Sequence, residues 1–153
     1  MQHIWSPWRM KYIEEYSRDE ECVFCKAFHA EDSDENLILY RGSNAFVIMN
    51  RFPYTSGHVM VLPNQHIAEL PEISRQTQTE IMNLISRAVE VLNQVYDPEG
   101  FNIGLNLGAA AGAVIPKHLH WHVVPRWRGD TNFIFWIPQE CKRNKLFFFD
   151  FFM

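Results

Sequence analysis

One long helical period interrupts a series of short apolar runs, and this change of period most limits how the chain can fold. The helical period extends from about Leu70 to Tyr96, with apolar residues mostly at steps of three, four or seven. The residues of this stripe are Ile73, Ile81, Leu84, Ile85, Ala88, Leu92 and Val95. Such a stripe predicts an amphipathic helix that packs on a sheet. The following Asp-Pro-Glu-Gly (97–100) ends the helix, because proline lacks an amide donor and glycine tolerates the turn.

Short apolar runs separated by turn residues lie on both sides of this helix. LILY, AFVIMN and GHVMVLP precede it, whereas FNIGLNLG and HLHWHVVPRW follow it. Runs of strands around one long helix predict an α+β domain with a mostly antiparallel sheet of about five strands and a short N-terminal segment. Because no internal repeat or low-complexity linker divides the sequence, we expect residues 1–153 to form a single domain.

Composition argues against several classes of partner. The formal net charge is −4, so no general positive field attracts nucleic acid or an anionic membrane, and we expect stable binding to neither. No apolar run reaches the ~18 residues that a bilayer span requires. The start, MQHIWSPWRM, does not have the pattern of a signal peptide. Three cysteines, two of them in a C-x-x-C motif, suit a reducing compartment, so we expect a cytoplasmic protein.

Three histidines, His118, His120 and His122, are spaced by two residues in the last predicted strand. Side chains alternate across a strand, so all three should project from one face. Adjacent imidazoles cost desolvation and, when charged, repel one another, which makes packing alone a poor explanation. The alternatives are a histidine-rich strand end or three ligands of one metal. We interpret the three histidines as catalytic.

The loop before the histidines contains only glycine and alanine from Gly108 to Ala113. Small side chains allow backbone amides to approach a ligand closely. Amides beside a histidine nucleophile can hold phosphate oxygens without a net positive charge. The loop, including Gly112 and Ala113, is therefore a candidate phosphate-binding segment.

HLHWHVV fits the His-φ-His-φ-His-φ-φ signature, and residues 4–133 resemble the histidine triad nucleotide hydrolases and transferases. FVIMNRFPYTSGHVMVLP and QHIAELPEIS are similar to the first sheet segment and helix start of that family. WSPWRMKYI, CVFC and VVPRWRGDTNF are similar to the branch that contains bacterial diadenosine tetraphosphate phosphorylases. Residues 134–153 form an atypical tail. The resemblance implies an α+β fold and a homodimer whose sheets join across a two-fold axis.

The resemblance also assigns roles to individual residues. His120, the middle histidine, attacks the α-phosphate and forms a nucleotidyl-histidine, which a second acceptor then resolves. His122 steadies phosphate oxygens or protonates the leaving phosphate. Asn106 lies near the reacting phosphate and Asn50 contacts the ribose, although either asparagine can instead cap a turn.

The acceptor and the base pocket remain open at the level of sequence. AGAVIPKH lacks the glutamine found in this loop of the eukaryotic hydrolase branch, which favours phosphate over water as the acceptor. Arg126 is an even number of residues from the histidines, so it should project from the same face of the strand. It is the candidate contact for an acceptor phosphate. Phe46 and Ile48 alternate on one strand and are candidates for lining a purine pocket. The rival functions are a hydrolase, a nucleoside phosphoramidase and a catalytically idle nucleotide-binding regulatory dimer.

The C-x-x-C motif, Cys22 and Cys25, has the spacing that places two thiolates on one tetrahedral ion. The resemblance supplies the remaining two ligands as His66 and His118, so we expect a structural zinc and no organic cofactor. The alternative is a reduced surface C-x-x-C. His58, in the SGH turn, is expected only to brace the start of its strand.

Overall fold

The computed structural model describes residues 21–31, 33 and 35–130. The helices in this range are α1 (Val23–His29) and α2 (Arg75–Tyr96), and the strands are β1 (Ile38–Arg41), β2 (Ala45–Met49), β3 (Val59–Pro63), β4 (Gly100–Leu105) and β5 (Trp121–Arg126). Short 3-10 turns cover Leu70–Glu72 and Ala109–Ala111. The aromatic N-terminal segment and the atypical tail lie outside the described residues.

The five strands form one open sheet in the order β1-β2-β3-β5-β4, and every neighbouring pair is antiparallel. Helix α2 connects β3 to β4 and packs against β2, β3 and β5. The predicted α+β class, strand number and long helix are therefore confirmed. No helix in the described part of the chain is long and apolar enough to cross a membrane.

Helix α2 begins five residues later than the hydrophobic stripe predicts. Leu70–Glu72 forms a separate 3-10 turn, because Ile73 and Ser74 adopt extended conformations that separate it from the helix. The Ser74 hydroxyl then accepts a hydrogen bond from the Thr77 amide at 3.1 Å and caps the true start. The C-terminus was placed correctly: Asp97 adopts a left-handed conformation with φ of 46° and ends the helix.

Strand β5 is also shorter than predicted. The regular strand begins at Trp121, so His118 and His120 precede it and only His122 lies within it. Backbone pairing there is interrupted, since the Leu119 amide donates to the Ile67 carbonyl at 2.8 Å instead of to a strand. The predicted alternation of faces nevertheless holds, because Leu119 and Val123 pack in the core on the α2 side.

Two hydrophobic clusters cover opposite faces of the sheet. The α2 side contains the larger one, with Val47, Val61 and Val123 from three adjacent strands against the stripe of the helix. The other side contains Phe24 of α1 together with the alternate strand residues, which are Phe46, Ile48, Met60 and Leu62. Helix α1, which was not predicted, is too short for its period to be visible in the sequence. This α1 face is the one that carries the histidines.

Candidate active site

A cavity opens on the α1 face of the sheet. The residues that line it are Phe24, Asn50, Phe52, Tyr54, Met60, Asn106, Gly112, Val114, Ile115, His120 and His122. Apolar and aromatic side chains predominate, and the polar groups are two histidines and two asparagines. Convergent polar groups in an otherwise apolar cavity are typical of a small-molecule site.

His120 is held with one ring nitrogen committed to the protein. Its Nδ1 lies 2.8 Å from the His118 carbonyl oxygen, and only 5% of the residue is exposed. A carbonyl can only accept, so Nδ1 carries the proton and Nε2 keeps its lone pair. Burial lowers the pKa of His120 below its ordinary value, which keeps the ring neutral near pH 7. A neutral imidazole with an available Nε2 is a competent nucleophile.

His122 is held in the opposite tautomer through His58. The Tyr54 backbone N–H donates to His58 Nδ1 at 3.2 Å, so the proton of a neutral His58 lies on Nε2. That Nε2–H donates to His122 Nδ1 at 3.0 Å. His122 therefore accepts at Nδ1 and carries its own proton on Nε2. A donor nitrogen beside a nucleophilic nitrogen, with ring centroids 5.0 Å apart, can serve a group that gains negative charge.

The expectation for His58 understated its part in the site. His58 is 1% exposed, and its ring lies between Tyr54 and His122. The sequence signal was the spacing of two residues between His58 and Met60, which places both side chains on the same face. Met60 faces the α1 side and pairs with His122. The sequence did not provide the register that brings these strands together.

Both candidate asparagines line the cavity. Asn50 also caps a turn, because its Oδ1 accepts from the Phe52 amide at 2.9 Å. Asn106 follows β4, and its Nδ2 lies 3.7 Å from the position that a Cβ atom on Gly112 would occupy. Gly112 has φ of 88°, a conformation in which L side chains are strained. Both groups are placed to contact a ligand at the histidines.

The small-residue loop is more closed than expected. Ala109–Ala111 forms a 3-10 turn, in which the amides of Ala111 and Ala113 both point to the Gly108 carbonyl, at 3.2 and 3.3 Å. The Gly112 amide donates to Ala109 at 3.0 Å. These three amides donate within the loop in this structure, and phosphate binding by the segment stays a prediction. Ala113 is buried and does not line the cavity.

Three further candidates lie outside the cavity. Phe46 and Ile48 are buried in the cluster beneath α1 and do not line the cavity, whereas Phe24 and Met60 of the same cluster do. Arg126 is placed four residues beyond His122, roughly 13 Å along an extended strand. Its guanidinium pairs with Asp130 at 2.9 Å and donates to Asn102 at 2.8 Å. Arg126 does not line the cavity, and its contact with an acceptor phosphate stays a prediction.

Cys22, Cys25, His66 and His118 converge beside the cavity, with their ligand atoms within 4.8 Å of one another. His118 Nδ1 lies 3.4 Å from the Cys22 sulfur and 3.6 Å from the Cys25 sulfur, and His66 Nδ1 lies 3.3 Å from Cys25. Sulfur and nitrogen ligands of one tetrahedral zinc lie roughly 3.5 Å apart, given zinc bonds of ~2.3 and ~2.0 Å. The four donors therefore match zinc in type and spacing.

The second ring nitrogen of His118 supports this match. Its Nε2 donates to the Pro63 carbonyl at 3.0 Å, which leaves the lone pair of Nδ1 directed at the two sulfurs. Burial lowers the pKa of His118 to about 4, so the ring is neutral at pH 7. Burial and the neighbouring Cys22 raise the pKa of Cys25 to about 11, so a metal must displace its proton.

The metal cluster and the nucleophile meet at two residues. His118 provides a ligand nitrogen with its side chain and fixes His120 with its carbonyl. Phe24, between the two cysteines on α1, packs on both rings, with centroids 5.6 Å from His118 and 5.2 Å from His120. The orientation of His120 therefore depends on the elements that form the cluster.

Comparison with known proteins gives the family. The chain matches the HIT domain family over residues 31–129. It is 38% identical over 141 residues to the "AP-4-A phosphorylase" of Mycobacterium tuberculosis, an alignment that covers 88% of this chain and 72% of the relative. It is 26% identical over 108 residues to the "Bis(5'-nucleosyl)-tetraphosphatase [asymmetrical]" of Schizosaccharomyces pombe, covering 71% of this chain and 59% of that protein.

A solved structure supports the same assignment. The crystal structure of a "ZN-bound histidine triad family protein" from Mycobacterium smegmatis has a TM-score of 0.63 and 29% identity, covering 72% of this chain and 78% of that one. The chain belongs to the HIT family. It is a nucleotide-processing enzyme, a phosphorylase or a hydrolase.

The opposite tautomers of the two histidines are directly measurable. Above the ordinary imidazole pKa, long-range ¹H–¹⁵N NMR spectra should show His120 protonated on Nδ1 and His122 protonated on Nε2. In His58→Phe, which cannot donate to His122, the preference of His122 should weaken while that of His120 is retained. A wild-type His120 protonated on Nε2 would contradict the assigned geometry.

Proposed function

We propose that this protein is a dinucleoside polyphosphate phosphorylase, which cleaves substrates of the diadenosine tetraphosphate type through a nucleotidyl-His120 intermediate. The observation that carries the proposal is the pair of opposite tautomers, with a lone pair on His120 and a proton on His122 at the same cavity. The name of the mycobacterial relative supports phosphate as the acceptor.

In the first step, His120 Nε2 attacks the α-phosphate, so a P–N bond forms and the bridging P–O bond to the β-phosphate breaks. His122 Nε2–H supplies the proton to the departing nucleoside polyphosphate. In the second step, an oxygen of inorganic phosphate attacks the same phosphorus and breaks the P–N bond, and His122 recovers a proton from that phosphate. Diadenosine tetraphosphate thus gives ATP and ADP. Water in place of phosphate gives ATP and AMP.

The described residues that line the cavity include no lysine or arginine. Among these residues, the groups that can meet substrate charge are the amides of Asn50 and Asn106 and the Nε2–H of His122. Donors of this kind stabilise the negative charge that develops on phosphate oxygens without forming a fixed ion pair with the substrate. This arrangement favours transfer over tight retention of either product.

A product assay tests the function and the acceptor together. With diadenosine tetraphosphate and labelled inorganic phosphate, we expect label in ADP, formed together with ATP. His120→Ala should lower turnover by several orders of magnitude while the fold and nucleotide binding persist, because the covalent route is lost. His122→Ala should slow turnover by a smaller factor.

Other outcomes of this assay each identify a rival. ATP and AMP as the only products, with no effect of added phosphate, would make the enzyme a hydrolase. Turnover of a nucleoside phosphoramidate alone would make it a phosphoramidase. Binding of nucleotide with no turnover of any of these substrates would leave a regulatory nucleotide-binding protein.

Zinc is the metal we propose for the cluster of Cys22, Cys25, His66 and His118. When bound, it supplies structural cross-linking of α1 to the segments before α2 and β5. The four residues would hold it, and the His118 carbonyl orients His120 beside this cluster. Thiolate ligands require a reducing environment, which supports a cytoplasmic location.

Metal analysis of the purified protein should find close to one zinc per chain. Cys22→Ser should lower both the zinc content and the melting temperature, because structural zinc contributes its binding free energy to folding. Lys26→Ser, in the same helix but exposed and outside the cluster, is the matched control and should change neither. Undiminished stability after complete removal of metal by a chelator would refute a structural site.

A homodimer formed along β4 is our proposal for the assembly. Strand β4 is an edge of the sheet and pairs only with β5 among the described strands. Ile103 on this edge is 48% exposed, and Val91 and Val95 of α2 are also exposed, although Val95 was expected in the stripe that packs on the sheet. An apolar edge strand with unpaired backbone groups is suited to pairing with a second copy.

The two edges of the sheet provide a matched test of this assembly. Sedimentation velocity should find a dimer for the wild type and a monomer for Ile103→Lys, since lysine on an edge strand opposes pairing. Leu39→Lys, on the exposed edge strand β1, should remain dimeric. A wild-type monomer, or a dimer that survives Ile103→Lys but not Leu39→Lys, would exclude the β4 interface.

A further inference from the structure

The loop between β2 and β3 places an aromatic ring, that of Tyr54, against His58 and His122. Tyr54 lies parallel to His58, with ring centroids 5.0 Å apart and an interplanar angle of 14°. It meets His122 edge-on at 6.3 Å, lines the cavity and is 39% exposed. Tyr54 is thus a partly exposed aromatic group of the cavity wall, next to the histidine to which we assign the donated proton.

This ring is held in place by the loop around it. The Tyr54 amide donates to His58, and the Thr55 hydroxyl donates to the Pro125 carbonyl of β5 at 2.9 Å. Gly57 has φ of 76°, and a side chain there would meet the Tyr96 ring at 2.9 Å. A ring that is fixed before a ligand arrives loses little conformational entropy on binding.

Aromatic and apolar side chains line the cavity together with the two histidines. Phe24 packs on His120, whereas Tyr54 contacts His122. In a substrate with two nucleosides and four phosphates, the phosphate chain separates the second nucleoside from the phosphorus that His120 attacks.

The direction in which the leaving group departs determines which lining residues meet the second nucleoside. In an in-line displacement, the leaving group departs on the side opposite the attacking atom. The attacking atom is His120 Nε2 and His122 donates to the leaving oxygen. Tyr54 contacts His122, whereas the ring contacts of His120 among the described residues are with Phe24 and His122. The leaving polyphosphate is therefore directed past Tyr54.

We infer that Tyr54 forms a stacking subsite for the base of the leaving nucleoside, so that the enzyme distinguishes dinucleoside polyphosphates from mononucleoside polyphosphates. The inference rests on the proposed function, since it needs a substrate attacked at His120. Stacking on an aromatic side chain suits any base, because every base presents a π-face. Tyr54 acts here by binding, and its hydroxyl takes no part in bond breaking.

Two substrates that differ only in the second nucleoside test the subsite. Diadenosine tetraphosphate and adenosine 5'-tetraphosphate present the same adenosine-bearing phosphate to His120, but the latter has no second base. Tyr54→Ala should raise KM for diadenosine tetraphosphate by about 5- to 100-fold, the range expected for loss of one stacked base. KM for adenosine 5'-tetraphosphate, and kcat for both substrates, should change by less than about twofold.

Two substitutions control for other roles of this tyrosine. Tyr54→Phe keeps the ring and should retain the wild-type preference, whereas a requirement for the hydroxyl would abolish activity in this variant. Tyr40→Ala, at an exposed position on β1, should match the wild type on both substrates. Equal losses on both substrates in Tyr54→Ala would overturn the inference, because they would show that the ring only supports His58.

Equilibrium binding separates the subsite from the proposed function. In a His120→Ala background, the Kd values of the two compounds can be compared without turnover, with and without Tyr54→Ala. Loss of the preference for diadenosine tetraphosphate supports the subsite, and an unchanged preference overturns it. Absence of cleavage by the wild-type enzyme would instead refute the proposed function, whichever result the binding experiment gives.

Discussion

The hydrogen bond from His120 Nδ1 to the His118 carbonyl is the contact on which the rest of this site depends. It assigns the proton of His120 to one nitrogen and leaves the other available to a ligand. It is possible because β5 begins only at Trp121, so the His118 carbonyl does not pair within the regular sheet. An uninterrupted strand would have placed the same three histidines on one face but would have used this backbone in ladder hydrogen bonds.

The metal cluster and the cavity share the same short segment. His118 is tied by its ring to the two cysteines and to Pro63, while its carbonyl holds the nucleophile. Phe24 is carried on the helix between those cysteines and packs on His118 and His120. Any displacement of α1 therefore reaches the reacting nitrogen through both backbone and packing. A structural ion here would act on catalysis through position, without contacting the substrate.

The neutrality of the site has a consistent physical cause. Burial disfavours charged imidazole, so the pKa values of His118 and His120 both lie below their ordinary values. Hydrogen bonds then decide which nitrogen of each ring carries the proton. The Tyr54 backbone amide fixes the tautomer of His58, and the His58 ring fixes that of His122. Charge enters the cavity chiefly with the phosphates of the substrate. Fixed dipoles stabilise such charge most effectively in an apolar surrounding.

Much of the fold was available from local patterns. The stripe of α2 and the alternating runs predicted the α+β fold class and the five strands. This was possible because the spacing of apolar residues directly shows which face of an element is buried. The spacing of His118, His120 and His122 gave their common face, and C-x-x-C gave two of four metal donors. The start of α2 was missed because the extended Ile73 and the Ser74 cap interrupt the stripe, and α1 was missed because seven residues are too few to show a helical period.

The sequence by itself determined which side chains were available and on which face of each element they lie. Only the tertiary structure decided which of them meet. His58 became part of the histidine network because β3 pairs with β5 in a register that sets Met60 opposite His122. Arg126, with the same parity as the histidines, was instead drawn to Asp130 and Asn102 at the far end of its strand. Parity is a local property of the backbone, whereas register and distance depend on contacts between segments far apart in the chain.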